Sequence, residues 1–282
     1  MRFVATLLLW LITTAALAVA VPSTWAQRHV VDEAGYVALV QQAATERPLQ
    51  DAMASELTDQ LVALAGNSGY DVGGDLLRGA ATAYTRSAAF PGQFATANRI
   101  VHRWMFTDVV SQSDGSGRWE IDLSPMLADS SFQQTLADFG IRAPSTLEVP
   151  LTENVSDSVR PGQLRSLSTW GPWVSIGASV VTALFALLTV ATARRRGKVL
   201  AALGISALLV GASGWAAIEV LRRRIDGALD ATSGGIRQVA DALVGHAVGS
   251  LHQWLNLTLV AGVVFVVLGV FAAMLGGMST RK

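Results

Sequence analysis

The chain has 282 residues, of which 51% are hydrophobic and 15% are charged, whereas soluble domains carry about 25% charged residues. The composition therefore argues against a soluble protein. Basic and acidic residues balance at 21 each and cysteine is absent, which excludes disulfide scaffolds and thiolate chemistry and removes the charge argument for nucleic-acid binding.

Four segments are long and apolar enough to cross a membrane as helices, which takes about 20 mostly apolar residues. They contain no Asp, Glu, Lys, Arg or His and cover residues 3–21, 173–193, 199–218 and 254–276. Residues 1–26 are predicted to be a membrane anchor or a signal peptide, since Ala18-Val19-Ala20 fits a small-x-small cleavage site. The apolar run is longer than the about 7 to 15 residues of a signal-peptide core, which favours the uncleaved anchor.

A short basic loop sets the predicted orientation, because Lys and Arg beside membrane spans are retained in the cytoplasm. This loop joins the second and third spans and contains Arg194, Arg195, Arg196 and Lys198. Placing it in the cytoplasm puts both termini there as well, if all four segments span, and leaves residues 27–170 outside. Residues 27–170 carry ten Arg against seventeen acidic residues, a balance compatible with export.

Five of the eight tryptophans agree with this orientation. They lie at the ends of the spans, where indole rings prefer the membrane interface, and all fall on the outer face: Trp25, Trp170, Trp173, Trp215 and Trp254. Arg222 to Arg224 also fall outside and count against it. The prediction is a multi-pass protein of the cell (plasma) membrane with most of its soluble part outside the cytoplasm.

The first half of the outside segment has the periodicity of helices. Apolar residues recur at spacings of three and four from Leu49 to Leu64, and Gly66 follows as a natural stop. The same pattern predicts helices at residues 75–89 and 91–110. This half is therefore expected to be a helical bundle.

The second half has the alternation of strands. Apolar residues alternate over residues 119–123 and again over 147–151, and a helix is predicted between them at about residues 124–140. Strand, helix and strand within about 33 residues are close to the minimum for a parallel pair with a crossover helix. We expect residues 27–151 to form a helix-rich α+β extracytoplasmic domain, followed by a tether at residues 152–172.

The remaining chain is predicted to be a transmembrane hairpin at residues 173–221, an outside loop at 222–253, and the last span with a cytoplasmic tail at 254–282. An apolar stripe from Ile236 to Leu251 predicts an amphipathic helix in that loop. This helix lies either on the outer leaflet or against the extracytoplasmic domain. Gly245 and Gly249 form a small-xxx-small pair, a spacing that allows close helix approach. The fold class is therefore a mainly α membrane protein with four transmembrane helices.

The arrangement resembles a known family. An anchor, the stretch Asn98-Arg99-Ile100-Val101-His102, the stretch Ile121-Asp122-Leu123-Ser124-Pro125-Met126-Leu127 and paired spans around an Arg-rich turn are similar to those of an uncharacterised family of actinobacterial integral membrane proteins. Nineteen Arg against two Lys suits a source rich in G and C. The resemblance implies location and topology, and it implies no chemistry.

Asn98 and His102 are the candidate functional residues, because one helical turn separates them and they share a face as a polar pair. Acid-base catalysis would need a further carboxylate, for which Asp108 and Asp122 are guesses. A structural His102 is the favoured interpretation. His246 and His252 point to different sides of their helix, which argues against a paired metal site.

Two hypotheses for function follow. The favoured one is a non-enzymatic envelope protein whose outside domain binds or scaffolds, with membrane lipids and an envelope or membrane protein as partners, no nucleic acid and no cofactor. The alternative is an envelope enzyme or lipid-handling factor with a site between the outside domain and the outer leaflet. The spans contain no ionisable residue of the kind that ion pumps need, and no phosphate-binding loop or zinc-protease motif is present.

Overall fold

The computed structural model describes residues 2–67, 73–107, 120–122, 148–150, 162–193, 196–229 and 234–278. These residues are almost entirely helical. The helices are α1 Arg2–Ala26, α2 Glu33–Ala43, α3 Arg47–Asn67, α4 Gly74–Thr85, α5 Phe90–Phe106, α6 Arg165–Thr192, α7 Arg196–Leu229 and α8 Gly235–Met278, with a π-helical turn at Gln27–Val31.

The chain divides into two compact units. The membrane unit comprises residues 1–30, 169–225 and 248–282, and the second unit comprises residues 31–168 and 226–247. Each unit is built from segments far apart in the sequence, and α8 supplies residues to both.

In the described part of the chain, four helices are long and apolar enough to cross a membrane, which confirms the four apolar segments predicted from the sequence. They are Val4–Val31, Arg165–Thr192, Arg196–Gly227 and Gly235–Leu275. The amphipathic helix predicted in the outside loop and the last span form one continuous helix, α8. No proline or turn residue between Leu251 and Trp254 breaks the backbone hydrogen bonding there.

Glycines bring α7 and α8 close together within the membrane unit. A Cβ added at Gly204 would lie 2.6 Å from both the Gly262 carbonyl oxygen and the Val266 nitrogen, and one added at Gly269 would meet Ala201 and the Gly197 backbone. Gly197 and Gly204 are seven residues apart, as are Gly262 and Gly269. These small residues allow the two backbones to pack directly, as membrane helices require in the absence of a hydrophobic driving force.

Among the described residues, no helix makes the close approach that the spacing of Gly245 and Gly249 would allow. A Cβ added at either would meet no atom within 4 Å. The glycines of α8 that contact α7 closely are Gly262 and Gly269, which are nearer its C-terminus and seven residues apart.

Polar side chains tie α1 to the other helices of the membrane unit. The Trp10 Nε1 group donates to the Ala202 carbonyl at 2.9 Å, and the Thr14 and Ser206 hydroxyls lie 2.7 Å apart. Near the other end of α1, Trp25 Nε1 donates to the Ser250 hydroxyl at 3.2 Å. Such bonds stabilise helix packing in a low-dielectric environment, because water does not compete for the same groups.

The second unit has its own hydrophobic core. Its buried residues are Val40, Ala43, Ala44, Leu49, Tyr84, Phe90 and Phe94. Fully burying a side chain of the size of Phe90 contributes about 1.5–3 kcal/mol. Val239, Ala242 and Leu243 of α8 pack against this core. The amphipathic helix was expected either on the outer leaflet or against the extracytoplasmic domain. These residues lie against the core of the domain.

The helices predicted at residues 49–64, 75–89 and 91–110 correspond to α3, α4 and α5, whereas α2 was missed. Asp32 begins α2 as an N-cap, because its carboxylate accepts a hydrogen bond from the Gly35 backbone at 3.1 Å. Val37 and Val40, which carry its buried face, are three residues apart. The sequence signal is present but spans only 11 residues.

The predicted parallel strand pair is wrong. Residues 120–122 and 148–150 form strands where expected, but they pair antiparallel, with Ile121 opposite Val149. Antiparallel strands can pair without the crossover that a parallel pair requires. The helix predicted at residues 124–140 lies outside the described residues. A pair of three-residue strands does not by itself support the α+β class expected of this domain.

The end of the predicted tether is also structured. The Gly162 and Leu164 backbone N–H groups donate to the carbonyls of Trp104 and Met105, each at 3.0 Å, and α6 begins at Arg165. Residues 162–172 are therefore turn and helix instead of tether, while residues 152–161 lie outside the described part of the chain.

Candidate functional site

Asn98 and His102 lie one turn apart on α5, as predicted, but each contacts Tyr36 of α2. The Tyr36 hydroxyl donates to Asn98 Oδ1 at 3.3 Å, and the Tyr36 and His102 ring centroids are 4.8 Å apart. The Asn98 amide nitrogen also donates to the Phe94 carbonyl at 2.9 Å. Tyr36 is thus the residue that joins the predicted pair, across a sequence separation of 62 residues.

The His102 ring is part of an aromatic stack. Its centroid lies 4.3 Å from that of Phe106 with the planes 22° apart, and its side chain is buried at 5% exposure. Such pairs contribute about 0.5–1.5 kcal/mol beyond the area they bury. Burial also raises the pKa of Tyr36 above its usual value, so this phenol stays protonated and remains a hydrogen-bond donor at neutral pH.

Glu33, just before Tyr36 in the chain, is bound by arginines of α5. Arg103 donates through Nε at 2.8 Å and through its Nη2 at 2.9 Å, and Arg99 Nε lies 3.6 Å away. The hydrogen bond from Arg103 lowers the pKa of Glu33, and the charges of Arg103 and Arg99 lower it further. A carboxylate held in a bidentate ion pair is a poor general base.

This ion pair predicts a pH-dependent effect of Glu33→Gln. A lowered carboxyl pKa stabilises the folded state above the unfolded-state pKa of about 4.3, and this contribution is lost as the pH falls through the lower folded-state pKa. At pH 7 we expect Glu33→Gln to reduce the Tm of the full chain in detergent by about 1–3 °C, because the pair is largely exposed. Asp59→Asn, on an exposed position of α3, is the control. A difference from wild type that persists undiminished below pH 3 would contradict the assignment.

The cluster has the chemistry of a packed helix interface. Its histidine is stacked, its amide is hydrogen-bonded and its carboxylate is paired with arginine. Asp108 lies outside the described residues, and so does the side chain of Asp122. Among the residues that the structure describes, no three His, Asp or Glu side chains are grouped to hold a metal ion.

The other histidines have separate partners. His246 Nδ1 lies 2.9 Å from Glu46 Oε1, which links α8 to the start of α3 within the second unit. The His252 ring stacks on Trp215 with centroids 3.8 Å apart. His246 and His252 thus contact different residues, as their spacing predicted.

Aromatic residues gather at one end of the membrane unit. The His29 ring stacks on Trp25 at 5.5 Å and meets the edge of Trp254 at 5.8 Å. Trp215 Nε1 of α7 donates to Asn256 Oδ1 at 3.2 Å, and Asn256 lies two residues after Trp254 in α8. Trp25, Trp215 and Trp254 therefore share one end of the unit, as expected of an interfacial belt.

A cavity of about 610 Å³ lies within the membrane unit. All four helices contribute to its walls, and the lining includes Leu17, Ala183, Ser206, Leu257, Ala261 and Phe265. The volume falls in the range of about 300–1,000 Å³ typical of ligand pockets. No single feature of the sequence indicated it, because the lining residues come from four separate apolar segments.

The basic residues predicted to set topology lie around the connection between α6 and α7. Arg196 and Lys198 form the first turn of α7 with exposed side chains, whereas Arg194 and Arg195 lie outside the described residues. Nothing matches this chain among protein-family models, curated proteins or solved structures.

Proposed function

We propose that the chain is an integral membrane protein of the cell envelope whose second unit is a non-enzymatic binding or scaffolding domain. The observation that carries the proposal is the packing of His102, which is buried between Tyr36 and Phe106. A general acid or base must reach a substrate atom, and this ring is committed to two neighbours of its own fold.

The proposed location is the plasma membrane, with the second unit outside the cytoplasm and α1 retained as an anchor. The charge of the Arg194 to Lys198 loop and the tryptophans at one end of the spans support the orientation. The hydrogen bonds of Trp10, Thr14 and Trp25 to other helices support retention of α1. Membership of the actinobacterial family and a helix-rich α+β domain around β1 and β2 belong to the same proposal.

Exposed apolar side chains suggest where a protein partner binds the second unit. Val62 near the end of α3 is 46% exposed and Leu76 in the first turn of α4 is 50% exposed. The two residues belong to consecutive helices, α3 and α4. Apolar side chains that do not join the core are available for contact with another protein.

The test is quantitative capture of cross-linked partners from native membranes. Leu76→Glu should reduce recovery of the partner about tenfold or more, since a buried apolar contact typically loses at least 1–2 kcal/mol when a charge replaces it. Ala83→Glu, seven residues later on an exposed position of α4, is the matched control and should leave recovery unchanged. Equal recovery with both variants would contradict a binding role for this surface.

His102→Phe separates packing from chemistry in the same preparation. Phenylalanine keeps an aromatic ring between Tyr36 and Phe106 and lacks the nitrogen atoms that transfer protons. The binding proposal expects partner recovery and cellular function to survive in His102→Phe. Loss of function in a correctly inserted, stably folded His102→Phe protein would favour the enzyme hypothesis.

A further inference from the structure

The cavity of the membrane unit extends through about half of a bilayer. Its lining on α1 runs from Thr13 to Thr24, and on α8 from Trp254 to Phe265. Each stretch covers about 16 Å along the helix axis at about 1.5 Å per residue. The hydrocarbon core of a bilayer is about 30 Å thick, so the cavity has the depth of one leaflet.

The cavity walls suit an apolar occupant. Three hydroxyl groups in the lining are bonded within their own helices: Thr13 donates to Leu9, Thr182 to Ala178 and Thr258 to Trp254, at 2.7–3.0 Å. The hydroxyls of Ser206 and Thr24 lie 2.7 and 3.4 Å from hydroxyls of neighbouring helices. Hydroxyls that are already bonded to helix carbonyls make little demand on a ligand. The remaining lining consists mainly of Ala, Leu, Val and Phe side chains.

A positive charge lies at one end of the cavity. Trp254 is part of the lining, and the exposed Arg28 places its guanidinium carbon 5.8 Å from the centre of the Trp254 ring. Trp25 and His29 gather at the same place. This is the interfacial end of the membrane unit, where lipid headgroups lie.

The depth of the cavity favours a lipid over a partner helix. A transmembrane helix crosses the whole hydrocarbon core of about 30 Å, whereas an acyl chain occupies one leaflet, as the lining of about 16 Å does. A flexible hydrocarbon chain is narrower and adapts to an irregular space. We propose that the cavity holds an acyl chain of an anionic phospholipid from the leaflet on the Trp254 side, with its phosphate bound by Arg28.

This proposal goes beyond the binding role of the second unit and requires only that the four helices cross a membrane. Burial of an acyl chain is favourable by the same dispersion contacts that hold membrane helices together. One Arg near the membrane surface adds attraction for an anionic headgroup.

The test uses the full chain reconstituted in phosphatidylcholine vesicles that contain a minority of phosphatidylglycerol with a photoactivatable acyl chain. In the wild type, cross-links should map to cavity residues such as Leu257 and Phe265. Ala261→Phe, which fills the lining of α8, should reduce these cross-links about tenfold, the effect of excluding about two methylene groups. Ala272→Phe, an exposed alanine of the same helix outside the lining, is the matched control and should cross-link like the wild type.

A second pair of variants tests the headgroup. Arg28→Gln should lower the preference for phosphatidylglycerol over phosphatidylcholine about fivefold, the effect of one cation near the surface. Arg222→Gln, an exposed arginine late in α7, should leave it unchanged. Arg28 is exposed and is not itself a lining residue, so this measurement still decides the matter if Ala261→Phe fails to fold.

Two results would overturn the proposal. One is cross-linking spread evenly over the lipid-facing surfaces of the wild type, without enrichment at the lining. The other is an equal headgroup preference in the wild type and Arg28→Gln. Neither result would affect the proposed binding role, which is tested through Leu76 and His102.

Discussion

Replacing Gly204 by Leu should lower the Tm of the full chain in detergent by about 5–10 °C. The new Cβ would lie 2.6 Å from backbone atoms of Gly262 and Val266, a separation that real Cβ atoms do not adopt. Backbone atoms cannot rotate away as a side chain does, so α7 and α8 must move apart. Overpacking of this kind costs about 1–3 kcal/mol, and occasionally more.

Gly177→Leu on α6 is the control for this effect. A Cβ at Gly177 meets no atom within 4 Å, and leucine has a higher helix propensity than glycine. Its Tm should therefore equal or exceed that of the wild type. Gly269→Leu should behave like Gly204→Leu, because its Cβ would meet Ala201 and Gly197. Equal melting temperatures for Gly204→Leu and Gly177→Leu would show that α7 and α8 are not packed through their glycines.

The second large effect concerns topology, and it should be close to all-or-none. The natural chain has no cysteine, so a single introduced cysteine can be labelled without background. On intact cells, a membrane-impermeant maleimide should label Ala83→Cys in α4 and should fail to label Thr192→Cys at the end of α6. Both positions are exposed, so access to the reagent decides the difference.

Permeabilised cells provide the control, since both variants should then be labelled. Labelling of Thr192→Cys and not of Ala83→Cys on intact cells would reverse the proposed orientation. The intact mass of the same purified proteins shows whether residues 1–26 are retained, as the anchor hypothesis requires.

Composition and periodicity were sufficient for the features that depend on neighbouring residues. The four spans follow from apolar length, and α3, α4 and α5 follow from spacings of three and four residues. Both signals are local, because a helix satisfies its own backbone and shows its buried face in a short window. The two strands were located by the same kind of signal, but their direction of pairing was not.

Features that depend on which surfaces meet could not be predicted in this way. Tyr36 contacts both Asn98, which is 62 residues later in the chain, and His102. The periodicity within α5 carries no information about α2. The glycines that bring α7 and α8 together recur every seven residues in each helix. Gly245 and Gly249 recur after four residues, and a Cβ added at either meets no described atom within 4 Å. Only the neighbouring helix distinguishes a glycine that packs from one that does not.

The second unit is assembled from segments that are far apart in the sequence, and this affects how it folds during biosynthesis. Val239 and Leu243 complete a core that includes Val40 and Leu49, so residues made about 200 positions apart must meet. A ribosome has to synthesise α6 and α7, and the translocation machinery has to place them, before this part of α8 exists. Until then the nascent domain exposes an uncovered apolar face, and exposed faces of this kind bind chaperones or aggregate. A chain truncated after residue 225 would remain in that state, which makes folding of this domain dependent on synthesis of the first part of α8.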